Sequence, residues 1–184
     1  MQQWSANGTD ASMQTGSLRI GIVMQRVRLN NRWQPYQWRP LEILFDYLRP
    51  DAGPHCLRQH EADTRWLFGG FDISLFSDEA EGYFLNVSSP HPCWFVMWRI
   101  EPFEAAEIAV PKFITLSYNE AARLMDGGEQ VDTLPASADI VAALAAFVAE
   151  HYQPEAKQKR KKPSFEGGAG VARMAQAEGR SNGS

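Results

Sequence analysis

Two cysteines and two histidines are the side chains in this sequence best suited to metal chemistry. Two thiolates and two imidazoles would complete a tetrahedral zinc shell, and the candidates are Cys56, His60, His91 and Cys93. Their spacing matches no established zinc finger. Cys93 opens an apolar run, where a thiol commonly serves as a small buried side chain. The sequence therefore predicts no metal site, and we expect no cofactor.

Nucleophilic catalysis is the other chemistry that these residue types allow. Cys56 follows His55, and an imidazolium close to a thiol lowers the pKa of that thiol. Adjacency in sequence is poor evidence for contact between side chains, so we interpret Cys56 as an ordinary loop residue. His60 and Glu61 begin the zinc-protease pattern H-E-x-x-H, but Thr64 stands where the second histidine is required. Glycine-rich phosphate loops and the G-x-S-x-G elbow are absent from the sequence. These patterns favour a protein that is not an enzyme and predict no catalytic residue.

An aromatic cluster that ends in a guanidinium offers recognition instead of catalysis. It consists of Trp33, Tyr36, Trp38 and Arg39. Such a set can stack on a flat ligand or anchor a protein interface. In the alternative interpretation the tryptophans cover one end of the core and Arg39 pairs with a carboxylate. Both interpretations stay open at this point.

A basic run near the end of the chain is the second candidate binding segment. Its charged residues are Lys157, Lys159, Arg160, Lys161 and Lys162. An acidic partner surface would attract this run, with an affinity that falls as the salt concentration rises. The alternative is a solvated tail without a specific partner.

Charge is distributed unevenly along the 184 residues. Residues 1–154 contain 11 Lys and Arg against 19 Asp and Glu, a net charge of −8, whereas residues 155–184 contain 7 against 3, a net charge of +4. An acidic body disfavours nucleic-acid binding, because neutralising phosphates needs a basic surface. We therefore expect a protein partner rather than a nucleic acid.

The cellular compartment is predicted from two absent features, an apolar segment that could span a membrane and a secretory signal. No apolar run approaches the roughly 20 residues that span a bilayer. Residues 1–16 have neither the basic start nor the apolar segment of a secretory signal. We expect a cytoplasmic protein with no membrane span.

Alternating apolar residues predict the strands. One strand begins at Leu18, and a slip in its phase predicts a β-bulge near Gln25 or Arg26. A second strand is expected to start at Pro40. Residues 49–63 read as a loop because they contain two prolines and mixed charges. The other predicted strands are a pair over 65–75 joined as a hairpin at Gly69–Gly70, a central strand over 93–98, and a strand over 112–116.

Three helices are predicted from their capping residues and apolar stripes. Ser77 with the following acidic residues is typical of a helix start. Ser117 and Glu120 have the spacing of a capping box, and Gly127–Gly128 would end that helix. A final amphipathic helix is expected from Ala138 to His151.

These elements predict an α+β fold. We expect a mainly antiparallel sheet of five or six strands covered by two or three helices. Residues 1–16 are predicted to be a disordered segment, residues 17–153 a single domain, and residues 154–184 a disordered basic tail.

Several stretches of the sequence resemble the uncharacterised bacterial family called domain of unknown function 3305. They are residues 20–24, 31–40, 75–83, 86, 92–99, 117–129, 147–151 and 157–162. The likeness covers nearly the whole chain from Leu18 to Phe165. It departs at Tyr118, where the family typically has a proline.

The resemblance implies an accessory role rather than a defined activity. Genes of this family tend to lie beside those for molybdenum-dependent formate dehydrogenases and their maturation factors. The resemblance therefore implies a non-catalytic adaptor in the assembly of such an enzyme, with an oxidoreductase subunit or maturation factor as partner. The competing hypothesis is a small carrier or enzyme that holds a pterin or nucleotide-like ligand. In both hypotheses the matching positions Trp33, Trp38 and Arg39 are the candidate binding residues, together with the basic run in the first.

Overall fold

The computed structural model describes residues 17–47 and 53–154, and it confirms the α+β class. In these residues seven strands form two antiparallel sheets. The strands are β1 (Leu18–Arg28), β2 (Tyr36–Phe45), β3 (His55–Arg58), β4 (Asp63–Ile73), β5 (Cys93–Phe103), β6 (Ala106–Thr115) and β7 (Gln130–Pro135). The helices are α1 (Ala80–Val87), α2 (Tyr118–Asp126) and α3 (Ala138–His151), and a 3-10 turn over Ser77–Glu79 precedes α1. The predicted segments 1–16 and 154–184 lie outside the described residues, apart from Pro154.

The first sheet has the order β2-β1-β4-β3, and its glycine pair does not form the predicted hairpin. That prediction is wrong because β4 continues through Gly69–Gly70 as one strand. Ile20 pairs with Phe71 and Ile22 with Phe68, so the single residue between them on β1 lies opposite both glycines of β4, which form a β-bulge. Gly70 has a φ of 83°, a left-handed conformation that glycine adopts without steric cost.

The bulge predicted near Gln25 or Arg26 is also wrongly placed. Both residues pair regularly with β2, and the irregularity lies beside Met24, whose partner is Pro40. A proline is tolerated there because β2 is an edge strand and the missing N–H interrupts the ladder at a bulge. Pro40 lies inside this second strand, which begins at Tyr36 and not at the proline as expected.

The second sheet has the order β6-β5-β7, which confirms the apolar segment from Cys93 as a central strand. The strand predicted over 112–116 is only the last part of β6. A hairpin joins β5 to β6 through Glu104, whose φ of 52° is unusual for a residue with a side chain. Short strands β3 and β7 were not predicted, and β3 lies in the stretch interpreted as a loop.

The three helices form where the sequence places them, with changes at their starts. The α3 boundaries are confirmed. Ser117 caps α2 by accepting a hydrogen bond from the Glu120 amide at 3.2 Å, but the Glu120 carboxylate accepts from Thr115 Oγ1 at 2.5 Å instead of completing the capping box. Ser77 makes no capping hydrogen bond, and α1 begins only at Ala80.

One hydrophobic core lies between the two sheets and the helices. Its largest fully buried side chains include Trp94 from β5, Tyr83 from α1, Ile22 and Met24 from β1, and Leu144 from α3. Inward residues of both sheets and of α1 and α3 therefore belong to one core cluster.

A buried amide fixes α1 against the second sheet. Asn86 is 2% exposed, and its Nδ2 donates to the carbonyls of Cys93 and Leu116, both at 2.8 Å. Its Oδ1 accepts from the Cys93 amide at 3.0 Å. The side chain thus satisfies backbone groups at the start of β5 and just after β6.

We expect the Asn86→Asp substitution to lower the free energy of unfolding by about 2–4 kcal/mol, because a carboxylate cannot donate to the two buried carbonyls. Chemical denaturation at neutral pH measures the change. The control is Asn119→Asp on α2, whose side chain makes one long contact, 3.4 Å to Glu81; its effect should stay within about 0.5 kcal/mol. Equal losses in the two variants would contradict a special role for Asn86.

Candidate functional site

Trp33 lies in the loop between β1 and β2 and projects into solvent. It is 88% exposed, and its backbone amide donates to Asn31 Oδ1 at 3.0 Å. The Arg32 guanidinium carbon lies 5.6 Å from the centroid of the indole ring. Trp33 therefore does not cover the core, and its ring is available at the surface beside a positive charge.

Trp38 and Arg39 are consecutive on β2, so their side chains leave opposite faces of the sheet. Trp38 packs against the core, and the Arg26 guanidinium carbon lies 5.9 Å from its ring centroid and 4.6 Å from that of Tyr36. The structure thus brings Trp38 and Tyr36 together and separates both from Arg39.

Arg39 is bound to a side-chain amide. The alternative interpretation of the sequence expected it to pair with a carboxylate. Its Nε and Nη2 both donate to Gln25 Oε1 at 3.1 Å. The Gln25 Nε2 in turn donates to Asp63 Oδ1 at 2.8 Å. Gln25 therefore links β2 to β4 across β1.

Asp63 is the acceptor at the end of this chain of hydrogen bonds. Arg65 donates to both of its carboxylate oxygens, at 3.1 and 2.9 Å, and the Arg58 guanidinium lies 3.1 Å away. The hydrogen bonds from Arg65 and then Gln25 hold the pKa of the Asp63 carboxyl below its usual value of 3.8. The arrangement ties all four strands of the first sheet together, and both oxygens of Asp63 are occupied by hydrogen bonds or ion pairs.

A cavity of about 320 Å³ lies between β2 and the second sheet. Three aromatic side chains line it, those of Tyr36, Trp38 and Trp98. The Trp98 indole nitrogen donates to Asp132 Oδ2 at 2.8 Å, which places a carboxylate in the aromatic wall. An aromatic cavity with one carboxylate can bind a group but contains no nucleophile with an adjacent base.

The cysteines and histidines lie on different elements. Cys56 is exposed on β3, His60 follows that strand, and Cys93 begins β5. Partial burial raises the pKa of the Cys93 thiol. In residues 17–47 and 53–154, no three His, Cys, Asp or Glu side chains are grouped so that they could hold a metal ion.

The five basic residues from Lys157 to Lys162 lie outside the described part of the chain. Within the described part, none of the helices is long and apolar enough to cross a membrane.

Sequence reasoning missed Gln25, Arg26, Trp98 and Asp132. Trp98 and Asp132 meet because β5 pairs with β7, and β7 itself was not predicted. The one available signal was Trp98 at the end of an apolar run, which by itself indicates a buried strand.

The comparisons with known proteins give one match. The model of a family described as a protein of unknown function, DUF3305, matches residues 19–161. No curated protein and no solved structure matches the chain.

The Asp63 interactions predict a specific dependence of stability on pH. Because the folded-state pKa is lowered, its contribution is present above the unfolded-state value and is lost as the pH falls through the folded-state value. The loss of unfolding free energy in Asp63→Asn, relative to the natural chain, should therefore be largest at neutral pH and shrink below pH 3.8. Urea denaturation between neutral and acidic pH measures it.

The matched control for that experiment is Asp126→Asn at the end of α2. Asp126 is exposed and makes no ion pair within the described residues. An identical pH profile for the two variants would show that the interactions of Asp63 do not produce the dependence.

Proposed function

The chain belongs to the DUF3305 family, and from this membership we propose that it is a non-catalytic accessory protein. In this proposal it is an adaptor that acts in the cytoplasm during assembly of a molybdenum-dependent formate dehydrogenase. The resemblance supports the choice of partner, since genes of the family tend to lie beside those for such enzymes and their maturation factors. An oxidoreductase subunit or a maturation factor is the proposed partner.

The exposed ring of Trp33 is the observation that carries the proposal. Tryptophan and arginine are the residues most enriched among those that dominate the binding energy of protein interfaces. Trp33 is 88% exposed and stands beside the Arg32 guanidinium. The loop that carries it is closed by a hydrogen bond from the Leu29 amide to the Pro35 carbonyl at 2.8 Å, so the ring can be presented with a limited loss of entropy on binding.

Charge supports a second contact in the same proposal. The basic run Lys157, Lys159, Arg160, Lys161 and Lys162 is proposed to bind an acidic surface of the partner. Contacts of this kind mainly speed association and weaken with salt. Trp33 would then provide most of the affinity and the basic run most of the steering.

The alternative, a carrier or enzyme with a flat ligand against the Trp/Arg cluster, requires stacking and a guanidinium contact at one place. Trp38 and Arg39 leave opposite faces of β2, and Arg39 already holds Gln25. Trp33 lies in the loop before the strand. This separation is why we favour the adaptor function.

Co-purification from the native host in mild salt, with mass spectrometry of the bound proteins, identifies the partner.

With the purified partner, Trp33→Ala should raise the dissociation constant about tenfold or more. The control is Leu57→Ala on β3, which removes another exposed apolar side chain, 53% exposed, from a different edge of the protein. Both variants should keep the thermal midpoint of the natural chain.

Truncation of residues 155–184 tests the second contact. It should weaken binding and flatten the dependence of the dissociation constant on salt.

Failure to recover any dehydrogenase subunit or maturation factor, or equal affinity of Trp33→Ala and the natural chain, would contradict the proposal.

A further inference from the structure

The cavity between β2 and the second sheet has an unusual charge pattern. Its lining contains aromatic rings, glutamine amides, one isoleucine and one charged residue, Asp132. Asp132 forms no ion pair within the described residues. Its Oδ2 accepts from the Trp98 indole at 2.8 Å, and its Oδ1 lies 3.4 Å from the Gln130 amide nitrogen. Each carboxylate oxygen can accept a second hydrogen bond, so the cavity offers a positioned negative charge without a counter-ion.

A second groove of the protein provides a useful contrast. It has a volume of about 380 Å³ and lies between α2 and the second sheet. Its two cations are already paired, Lys112 with Glu101 at 2.7 Å and Arg123 with Glu79 at 2.5 Å. The Glu120 carboxylate shares that groove with these two cations, whereas Asp132 is the one charged residue that the described part of the chain places in the lining of its cavity.

The aromatic walls of the Asp132 cavity fit a guanidinium. A planar guanidinium stacks on aromatic faces and presents a fork of N–H groups to a carboxylate. The protein itself shows the first interaction, because the Arg26 guanidinium carbon lies 4.6 Å from the Tyr36 ring centroid. A volume of about 320 Å³ is at the lower end for small-ligand sites and suits one long side chain.

We propose that this cavity binds the guanidinium of an arginine side chain carried by the protein partner. Asp132 accepts the N–H groups, Trp98 positions the carboxylate through its indole N–H, and Trp38 and Trp98 provide the stacking surfaces. Charge complementarity favours this occupant, since residues 1–154 have a net charge of −8 and the one charge that residues 17–47 and 53–154 place in the lining is negative. The inference rests on the proposed function for the source of the arginine, but the chemistry of the site does not need the partner to be tested.

The test is a titration of the full chain with the tripeptide Gly-Arg-Gly. The quantity measured at each step is the NMR chemical shift of the Trp98 indole N–H cross-peak. Trp98→Phe assigns that cross-peak. We expect a saturable shift with the arginine peptide and a dissociation constant about tenfold or more weaker for Gly-citrulline-Gly, which has nearly the same shape without the charge. This comparison uses the natural chain, so it does not depend on the folding of any variant.

Variants then locate the site. Asp132→Asn keeps an oxygen for the Trp98 N–H and removes the charge, so affinity for the arginine peptide should fall about tenfold or more. Asp126→Asn, an exposed carboxylate outside the cavity, should change it less than about twofold. Trp33→Ala should leave the shift unchanged, because Trp33 does not line this cavity.

Three results would overturn the inference: no saturable shift, equal binding of the citrulline peptide, or equal losses in Asp132→Asn and Asp126→Asn. A saturable, charge-dependent shift that Asp132→Asn removes would support it even if no dehydrogenase component were recovered. Loss of partner binding in Trp33→Ala with no arginine binding would instead support the adaptor function and reject this site.

Discussion

The side chain of Asn86 joins three parts of the fold that the sequence keeps apart. α1 has only eight residues, too few to be stable as an isolated helix, so tertiary contacts must hold it. Asn86 provides them through three hydrogen bonds with the backbone at Cys93 and Leu116, two residues that begin and follow neighbouring strands. A buried amide is costly unless all of its groups are satisfied. The helix is therefore specified in one position relative to the sheet.

Helix α1, which carries Asn86, also lies unusually close to the start of α2. A Cβ atom at Gly82 would lie 2.1 Å from Ser117 Oγ, so only glycine allows α1 to come this near to the start of α2. Ser117 Oγ donates to Glu79 at 2.6 Å, and Glu79 also accepts from Arg123 at 2.5 Å. The hydrogen bond that Arg123 donates to Glu79 raises the pKa of the Arg123 guanidinium. These contacts orient α2, and the chain after α2 leads directly into β7, the strand that carries Asp132.

Local patterns predicted the parts of the fold that depend on local physics. The α3 boundaries follow from an apolar stripe at helical spacing, and the central strand β5 follows from a run that is apolar on both faces. The pattern failed where pairing partners decide the conformation. Gly69–Gly70 satisfies the rules for a hairpin turn, but β1 pairs along the whole of β4 and makes it a bulge. Glu104 forms a hairpin turn without the residue types that usually mark one.

The same distinction explains the candidate site. The sequence indicated Trp33, Trp38 and Arg39 because they are close along the chain, and strand alternation already separates Trp38 from Arg39. It could not join Trp98 to Asp132, because the two residues are 34 positions apart and are separated by the β5–β6 hairpin and by helix α2. Long-range pairing sets the position of both residues, so the cavity follows from the fold and not from a motif.

Arg26 and Asp132 show how the aromatic residues of β2 serve two purposes. The Arg26 Nε is buried without a hydrogen-bond acceptor among the described residues. The rings of Tyr36 and Trp38 compensate by stacking with its guanidinium, which replaces part of the lost hydration. These two rings also form a wall of the cavity that contains Asp132. Replacing either ring would therefore disturb a structural cation and the cavity together, so substitutions at Asp132 report on ligand recognition more directly than substitutions at Tyr36 or Trp38.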